Sequence, residues 1–235
     1  MDKVKDLFKN NALFIALSLI LAVVLGLALL YVPKGELHLL LCDRHTPARD
    51  IFYRYYTQVA EWFPYVVCVC LLLFSRIGDG VLATAAMSIS GLATQGLKYA
   101  VDTDRPYRWF AMNMPDVTLP LVEGVRMSKY YSFPSGHTTS FFALAFVLCI
   151  IIQQRSGLTA QRSNSASVLT ALAIQFLLFI AAAVGAYSRI YLSQHFPEDI
   201  VGGIFVGILI TIICYVVFVR FEDRKWYNYR LFQKK

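Results

Sequence analysis

The stretch ALFIALSLILAVVLGLALLYV, residues 12–32, runs 21 residues without a charge. A helix needs about 20 apolar residues to cross the hydrocarbon core of a bilayer, so this run alone is long enough to span one. The whole chain points the same way. Of its 235 residues, 57% are hydrophobic and 16% are charged, and the mean hydropathy is +0.55. Soluble domains carry about 25% charged residues, and disordered chains are poorer still in apolar ones. Both classes are excluded.

Five further apolar runs follow, at roughly 59–74, 81–101, 135–152, 168–187 and 200–219. The sequence therefore predicts an all-α polytopic bundle of about six transmembrane helices, a single integral-membrane unit over 1–235. Glu61 interrupts the second run and is expected at an interface. The first run follows Lys3, Lys5 and Lys9, as a signal peptide would. It is longer than a usual apolar signal core, and Leu30-Tyr31-Val32-Pro33 has no small-x-small cleavage pattern, so an uncleaved first span is expected.

An even number of spans puts both termini on one side. That side, with the second and fourth loops, carries twelve Lys and Arg residues against ten on the other. The margin is slight, and the basic tails, including 220–235, favour cytoplasmic termini. The first, third and fifth loops then face outward. The fourth loop, 155–167, reads as a flexible connector. The first, 33–57, reads as an interfacial segment with Phe52, Tyr53, Tyr55 and Tyr56 at headgroup level. The net charge of +7 is scattered between apolar runs, unlike the clustered basic face that nucleic acid requires. The five cysteines lie in or beside apolar runs and read as packing residues.

Three polar clusters break the apolar pattern, all on the outward side. They are Lys98 to Pro106 after the third run, Ser132 to Thr138 before the fourth, and Ser188 to Asp199 between the fifth and sixth. Singly, each has a bland explanation. Lys98 and Arg189 could snorkel, Pro134-Ser135-Gly136 could start a helix, and His195 with Asp199 could cap one. Jointly they bring three cations, two histidines and a carboxylate to one membrane face, an inventory that suits a phosphate monoester. Lys98, Arg105 and Arg189 would neutralise its oxygens, and backbone N–H groups at Ser135 and Gly136 would add donors. His195, oriented by Asp199, would attack phosphorus, and His137 would protonate the leaving alkoxide. A metal site built from His137, His195 and Asp199 is the structural rival, disfavoured because three cations would repel the ion; no metal or other cofactor is expected.

In order and spacing these clusters resemble the signature of the type 2 phosphatidic acid phosphatase superfamily, K-x6-R-P, P-S-G-H and S-R-x5-H-x3-D. They match as Lys98 with Arg105-Pro106, Pro134-Ser135-Gly136-His137, and Ser188-Arg189 with His195 and Asp199. The resemblance implies a metal-independent phosphatase site at the outer membrane–water interface. It implies His195 as nucleophile, Asp199 as its partner and His137 as acid, with Lys98, Arg105, Ser135, Gly136 and Arg189 on the phosphate. A membrane-embedded site implies a lipid phosphate as substrate. Lys34 to Pro47 and Tyr55 to Trp62 look similar to bacterial lipid A 4′-phosphatases. That likeness suggests lipid A, with undecaprenyl pyrophosphate and phosphatidylglycerophosphate as alternatives, and an inner-membrane protein whose site faces the periplasm. A lipid or anion transporter, or a transferase passing phosphate to a second lipid, would use the same cations. Gly203 and Gly207, spaced for close helix approach, would serve the bundle or a dimer; nothing else bears on oligomeric state.

Overall fold

The computed structural model describes residues 2–155 and 165–230. The expected connector at 155–167 and the end of the basic tail lie largely outside them. A short α1 (Asp2–Asn10) leads into α2 (Ala12–Tyr31), which Val32 and Pro33 end. Next come α3 (Lys34–Cys42), α4 (Pro47–Tyr56), a 3-10 turn (Thr57–Ala60) and α5 (Trp62–Ser75). The long α6 (Ile77–Val101) is followed by α7 (Pro106–Asn113), α8 (Gly136–Arg155), α9 (Ser165–Tyr191) and α10 (Pro197–Phe218). The described residues contain no strand.

Among the described residues, five helical segments are long and apolar enough to cross a membrane: Ala12–Tyr31, Ile77–Asn113, Gly136–Arg155, Ser165–Tyr191 and Pro197–Phe221. The expected second span differs. Its helix α5 has 14 residues, about 21 Å at 1.5 Å per residue, short of the ~30 Å core. It qualifies only together with Pro47–Ala60, from which it is bent by 51°. Glu61 stands at that break with an extended backbone, φ −86° and ψ 169°. The count is thus five, or six with the bent pair taken as one.

Helix α8 forms the centre of the bundle, packed against α6, α9 and α10. Phe142, Phe146 and Ile150 on it are buried, and Phe14 of α2 stacks on Phe146 with ring centroids 5.4 Å apart. Gly203 and Gly207 face α8 within the same chain. A Cβ on Gly203 would lie 2.8 Å from the Ser135 carbonyl oxygen, and one on Gly207 would lie 2.6 Å from that of Thr139. These glycines bring α10 against the start of α8, which serves the bundle.

At the end of α8 away from the polar clusters, the buried Asp79 pairs with Arg76 at 2.6 Å and with Arg155. The Arg76 guanidinium lies 5.0 Å from the Tyr227 ring, and the N–H groups of Ile77 and Gly78 donate to the carbonyls of Tyr229 and Tyr227. The segment after α10 is thereby fastened to the start of α6. The first loop is more deeply embedded than an interfacial segment. His38 and Cys42 are fully buried, and the Tyr56 hydroxyl donates to the Ala181 carbonyl at 2.9 Å. Phe52 and Tyr55 do stay exposed.

Candidate active site

All three polar clusters meet at one end of the bundle. Lys98 closes the last turn of α6, after which Asp102 takes a left-handed conformation, φ 40°, and stops the helix. Arg105 precedes Pro106 at the start of α7. Ser135 caps α8: its hydroxyl oxygen accepts from the Thr138 N–H at 3.3 Å, as N-cap serines do. Arg189 lies in the last turn of α9. Pro197 opens α10, and Asp199 in its first turn accepts from the Phe196 N–H at 2.8 Å.

His195, in the loop between α9 and α10, faces Asp199 in the first turn of α10. His195 Nδ1 lies 3.3 Å from Asp199 Oδ2, and both residues are 1% exposed. Ser132 completes the group. Its hydroxyl donates to the same carboxylate oxygen at 2.5 Å and lies 3.4 Å from His195 Nδ1. With Nδ1 so engaged, Nε2 is the ring nitrogen left for chemistry. Burial holds the His195 pKa well below the usual histidine value, and the charges of Arg105, Lys98 and Arg189 and the His137 ring push it the same way. The imidazole is therefore neutral near pH 7.

The cations are oriented mainly by main chain. Lys98 Nζ donates to the carbonyls of Tyr131 at 2.6 Å and Ser132 at 3.3 Å. Arg105 donates through Nε to the Tyr130 carbonyl at 3.0 Å and through its terminal nitrogen to Gln194 at 3.4 Å. Arg189 donates to the Thr57 hydroxyl at 2.7 Å, while its buried Nε has no hydrogen-bond partner. One expected donor is consumed. The Ser135 N–H goes to the Asp199 carbonyl at 3.0 Å. Among the described residues, the N–H groups of Gly136 and His137 are left without a backbone acceptor. A Cβ on Gly136 would meet only Thr94, at 3.7 Å. Protein crowding does not demand glycine there, and an anion can approach the helix start closely.

Two openings reach this group. One, about 530 Å³, is lined by Lys98, Arg105, Lys129 and Tyr131 among others. The other, about 270 Å³, is lined by His137, Arg189, Arg54 and Glu61 among others. Arg126 lines both. Such a constellation of neutral imidazole, oriented cations and free helix N–H groups can stabilise a transferring phosphoryl group. Among the described residues no group of three or more His, Cys, Asp or Glu is placed to hold a metal ion.

The family described as the PAP2 superfamily matches residues 79–223, well over half of the chain. The chain belongs to the PAP2 superfamily. Among PAP2 and related proteins it is similar to lipid phosphate phosphatase 2 of Arabidopsis thaliana, at 28% identity over 65% of this chain and 56% of the relative. It is also similar to the lipid A 4′-phosphatase of Porphyromonas gingivalis, at 25% identity over 76% of this chain and 70% of that one. The chain thus spans little more than half of the first relative's length. The crystal structure of the first transmembrane PAP2 type phosphatidylglycerolphosphate phosphatase from Bacillus subtilis shares its fold. It aligns with a TM-score of 0.64 over 93% of this chain and all of that one, at 19% identity.

Reading the sequence located Lys98, Arg105, Ser135, Gly136, His137, Arg189, His195 and Asp199, and the fold gathers all eight at one end. It missed the parts played by Ser132, Thr57, Gln194 and Glu61. Ser132 sits in the quoted cluster two residues before Pro134, and that proximity was its one signal. Thr57 and Glu61 lie outside the three polar clusters, in the stretch 55–62 whose only signals were its likeness to lipid A 4′-phosphatases and the charge of Glu61.

Proposed function

We propose that this chain is a membrane lipid phosphatase that hydrolyses a phosphomonoester without a metal. His195 Nε2 attacks phosphorus, the bond from phosphorus to the lipid oxygen breaks, and His137 gives that oxygen its proton. Water, deprotonated by His137, then displaces the phosphoryl group from His195 and releases inorganic phosphate. Lys98, Arg105, Arg189 and the Gly136 and His137 N–H groups hold the three phosphoryl oxygens throughout. Asp199 keeps the proton of His195 on Nδ1 and stabilises the positive ring as the bond forms. The observation that carries this reading is a buried His195 held at Nδ1 by Asp199 and Ser132, with Lys98, Arg105 and Arg189 gathered at the same end of the bundle.

The substrate proposed is the 4′-phosphate of lipid A, supported by the resemblance to the Porphyromonas protein. Undecaprenyl pyrophosphate and phosphatidylglycerophosphate are the competing lipids. The corresponding location is a bacterial inner membrane, with both termini cytoplasmic and the site facing the periplasm, as the basic tails favour. The test is phosphate release, with EDTA present, by detergent-purified wild type and His195→Ala from lipid A, undecaprenyl pyrophosphate, phosphatidylglycerophosphate and phosphatidic acid. Release by wild type alone supports the assignment, and the preferred lipid names the substrate. Release by His195→Ala at the wild-type rate, or by neither protein from any lipid, overturns it.

A further inference from the structure

Seven outward cations lie outside the motifs, and the fold sorts them. Lys34 pairs with Glu198 at 3.1 Å. Arg108 pairs with Asp104 at 2.5 Å and lies over the Tyr130 ring. Arg49 donates to the Arg44 carbonyl at 3.2 Å, and Arg54 donates to the Glu123 carbonyl at 3.2 Å. Neither Arg44 nor Arg49 lines either opening. Arg126 and Lys129 differ. Both are exposed, and among the described residues neither side chain has an ion-pair or hydrogen-bond partner. Both line the larger opening beside Lys98 and Arg105, and the lining contains no acidic residue.

Their backbone, by contrast, is firmly held. The Arg126 carbonyl accepts from Gln194 Nε2 at 3.2 Å and the Lys129 carbonyl accepts from the Arg105 N–H at 3.0 Å. Gln194 adjoins His195, and Arg105 is one of the three cations around it. Two unpartnered charges are thus carried on a strap bonded to the catalytic layer. A phosphomonoester is already neutralised by Lys98, Arg105 and Arg189. Further cations fixed at the rim serve an anionic group that the scissile phosphate does not supply.

We infer that Arg126 and Lys129 form a subsite for a second anionic group on the lipid headgroup, so that the enzyme prefers lipids bearing two phosphates over matched lipids bearing one. This rests on the phosphatase reading above. The second phosphate can be joined to the scissile one, as in a diphosphate, or placed elsewhere on the headgroup. Glu61, on the smaller opening, makes that side less favourable for it.

The experiment compares two matched pairs in mixed micelles: bisphosphorylated lipid A against its 4′-monophosphoryl form, and diacylglycerol pyrophosphate against phosphatidic acid. Wild type is expected to favour the doubly phosphorylated member in kcat/KM. In Arg126→Gln, and more so in Arg126→Gln with Lys129→Gln, that preference falls about three- to tenfold, as expected for charge-assisted contacts at a partly solvated rim. The pair whose preference falls tells whether the second phosphate is joined or separate. Arg49→Gln removes the same charge from the same face and leaves the preference unaltered. An unchanged preference in the double variant, or an equal fall in Arg49→Gln, overturns the subsite. Binding of the same lipids to His195→Ala, with and without Arg126→Gln, reads the subsite without turnover. If wild type releases no phosphate but Arg126→Gln still erodes the binding preference, the phosphatase reading falls and the subsite stands. Loss of neither turnover nor binding preference removes the subsite alone.

Discussion

Ser132 and Asp199, 67 residues apart, share a hydrogen bond of 2.5 Å beside Nδ1 of His195. It ties the loop before α8 to the first turn of α10 and leaves the carboxylate one fixed orientation toward His195 Nδ1. Removing the hydroxyl leaves a buried carboxylate with one donor fewer, and a hydrogen bond to a charged group is worth about 1.5–3 kcal/mol. Ser132→Ala is expected to lower kcat for phosphate release about tenfold or more, with KM little changed. An unaltered kcat would remove Ser132 from the machinery.

The acid side of the pH–rate profile follows from His195. Its pKa in the folded protein lies below the ordinary histidine value because of burial and the cations around it. The His195 ring stays neutral as pH falls through 6.5 and takes up a proton only at lower pH, where the proposed nucleophile would be lost. kcat/KM should therefore hold from pH 7 to below 6.5 and decline beneath that. An acid limb centred above 6.5 would contradict the placement of His195 among Lys98, Arg105 and Arg189.

A second buried histidine predicts a stability change. His38 packs against the rings of Phe110 and Phe196, with Nε2 3.3 Å from the Ser193 hydroxyl, and burial lowers its pKa to about 4. The unfolded chain takes up a proton near pH 6.5 and the folded one near 4, so acid favours unfolding across that window. The contribution is present above pH 6.5, shrinks as pH falls, and is on the order of 3 kcal/mol. His195 acts with the same sign, so the comparison must isolate His38. His38→Gln keeps a donor toward Ser193 without titrating there. Its melting temperature should fall less steeply than that of wild type from pH 6.5 to 4; parallel curves would exclude His38 as a contributor.

The contact of α8 with α10 is tight enough to be tested by one methyl group. A Cβ on Gly207 would meet backbone atoms, the Thr139 carbonyl oxygen at 2.6 Å and the Ala143 nitrogen at 3.1 Å. Backbone cannot step aside as a flexible side chain would. Gly207→Ala is expected to cost about 1–3 kcal/mol and lower the melting temperature. Gly26→Ala, which meets nothing within 4 Å on α2, should leave it unchanged. Equal effects at the two positions would mean that the close approach is not what glycine provides.

The motif residues were legible because chemistry restricts them to a few side-chain types at fixed spacings, and the long helices because a bilayer demands uninterrupted apolar length. The break at Glu61 was harder to read. Residues 59–74 are apolar enough to pass for a span, and nothing local announces that Thr57 must reach Arg189. The acceptors of Lys98 and Arg105 were not legible at all. Apart from Gln194, which also accepts from Arg105, they are carbonyls of Tyr130, Tyr131 and Ser132, and any residue type supplies a carbonyl.

That last feature separates two properties of the strap. Because the carbonyls of residues 130–132 orient Lys98 and Arg105, the side chains of Tyr130 and Tyr131 can be exchanged without moving those two charges. Arg126 and Lys129, on the same strap, project into the larger opening. A lineage could therefore redirect this scaffold to a different headgroup by single substitutions along the strap, leaving the reacting centre as it was inherited.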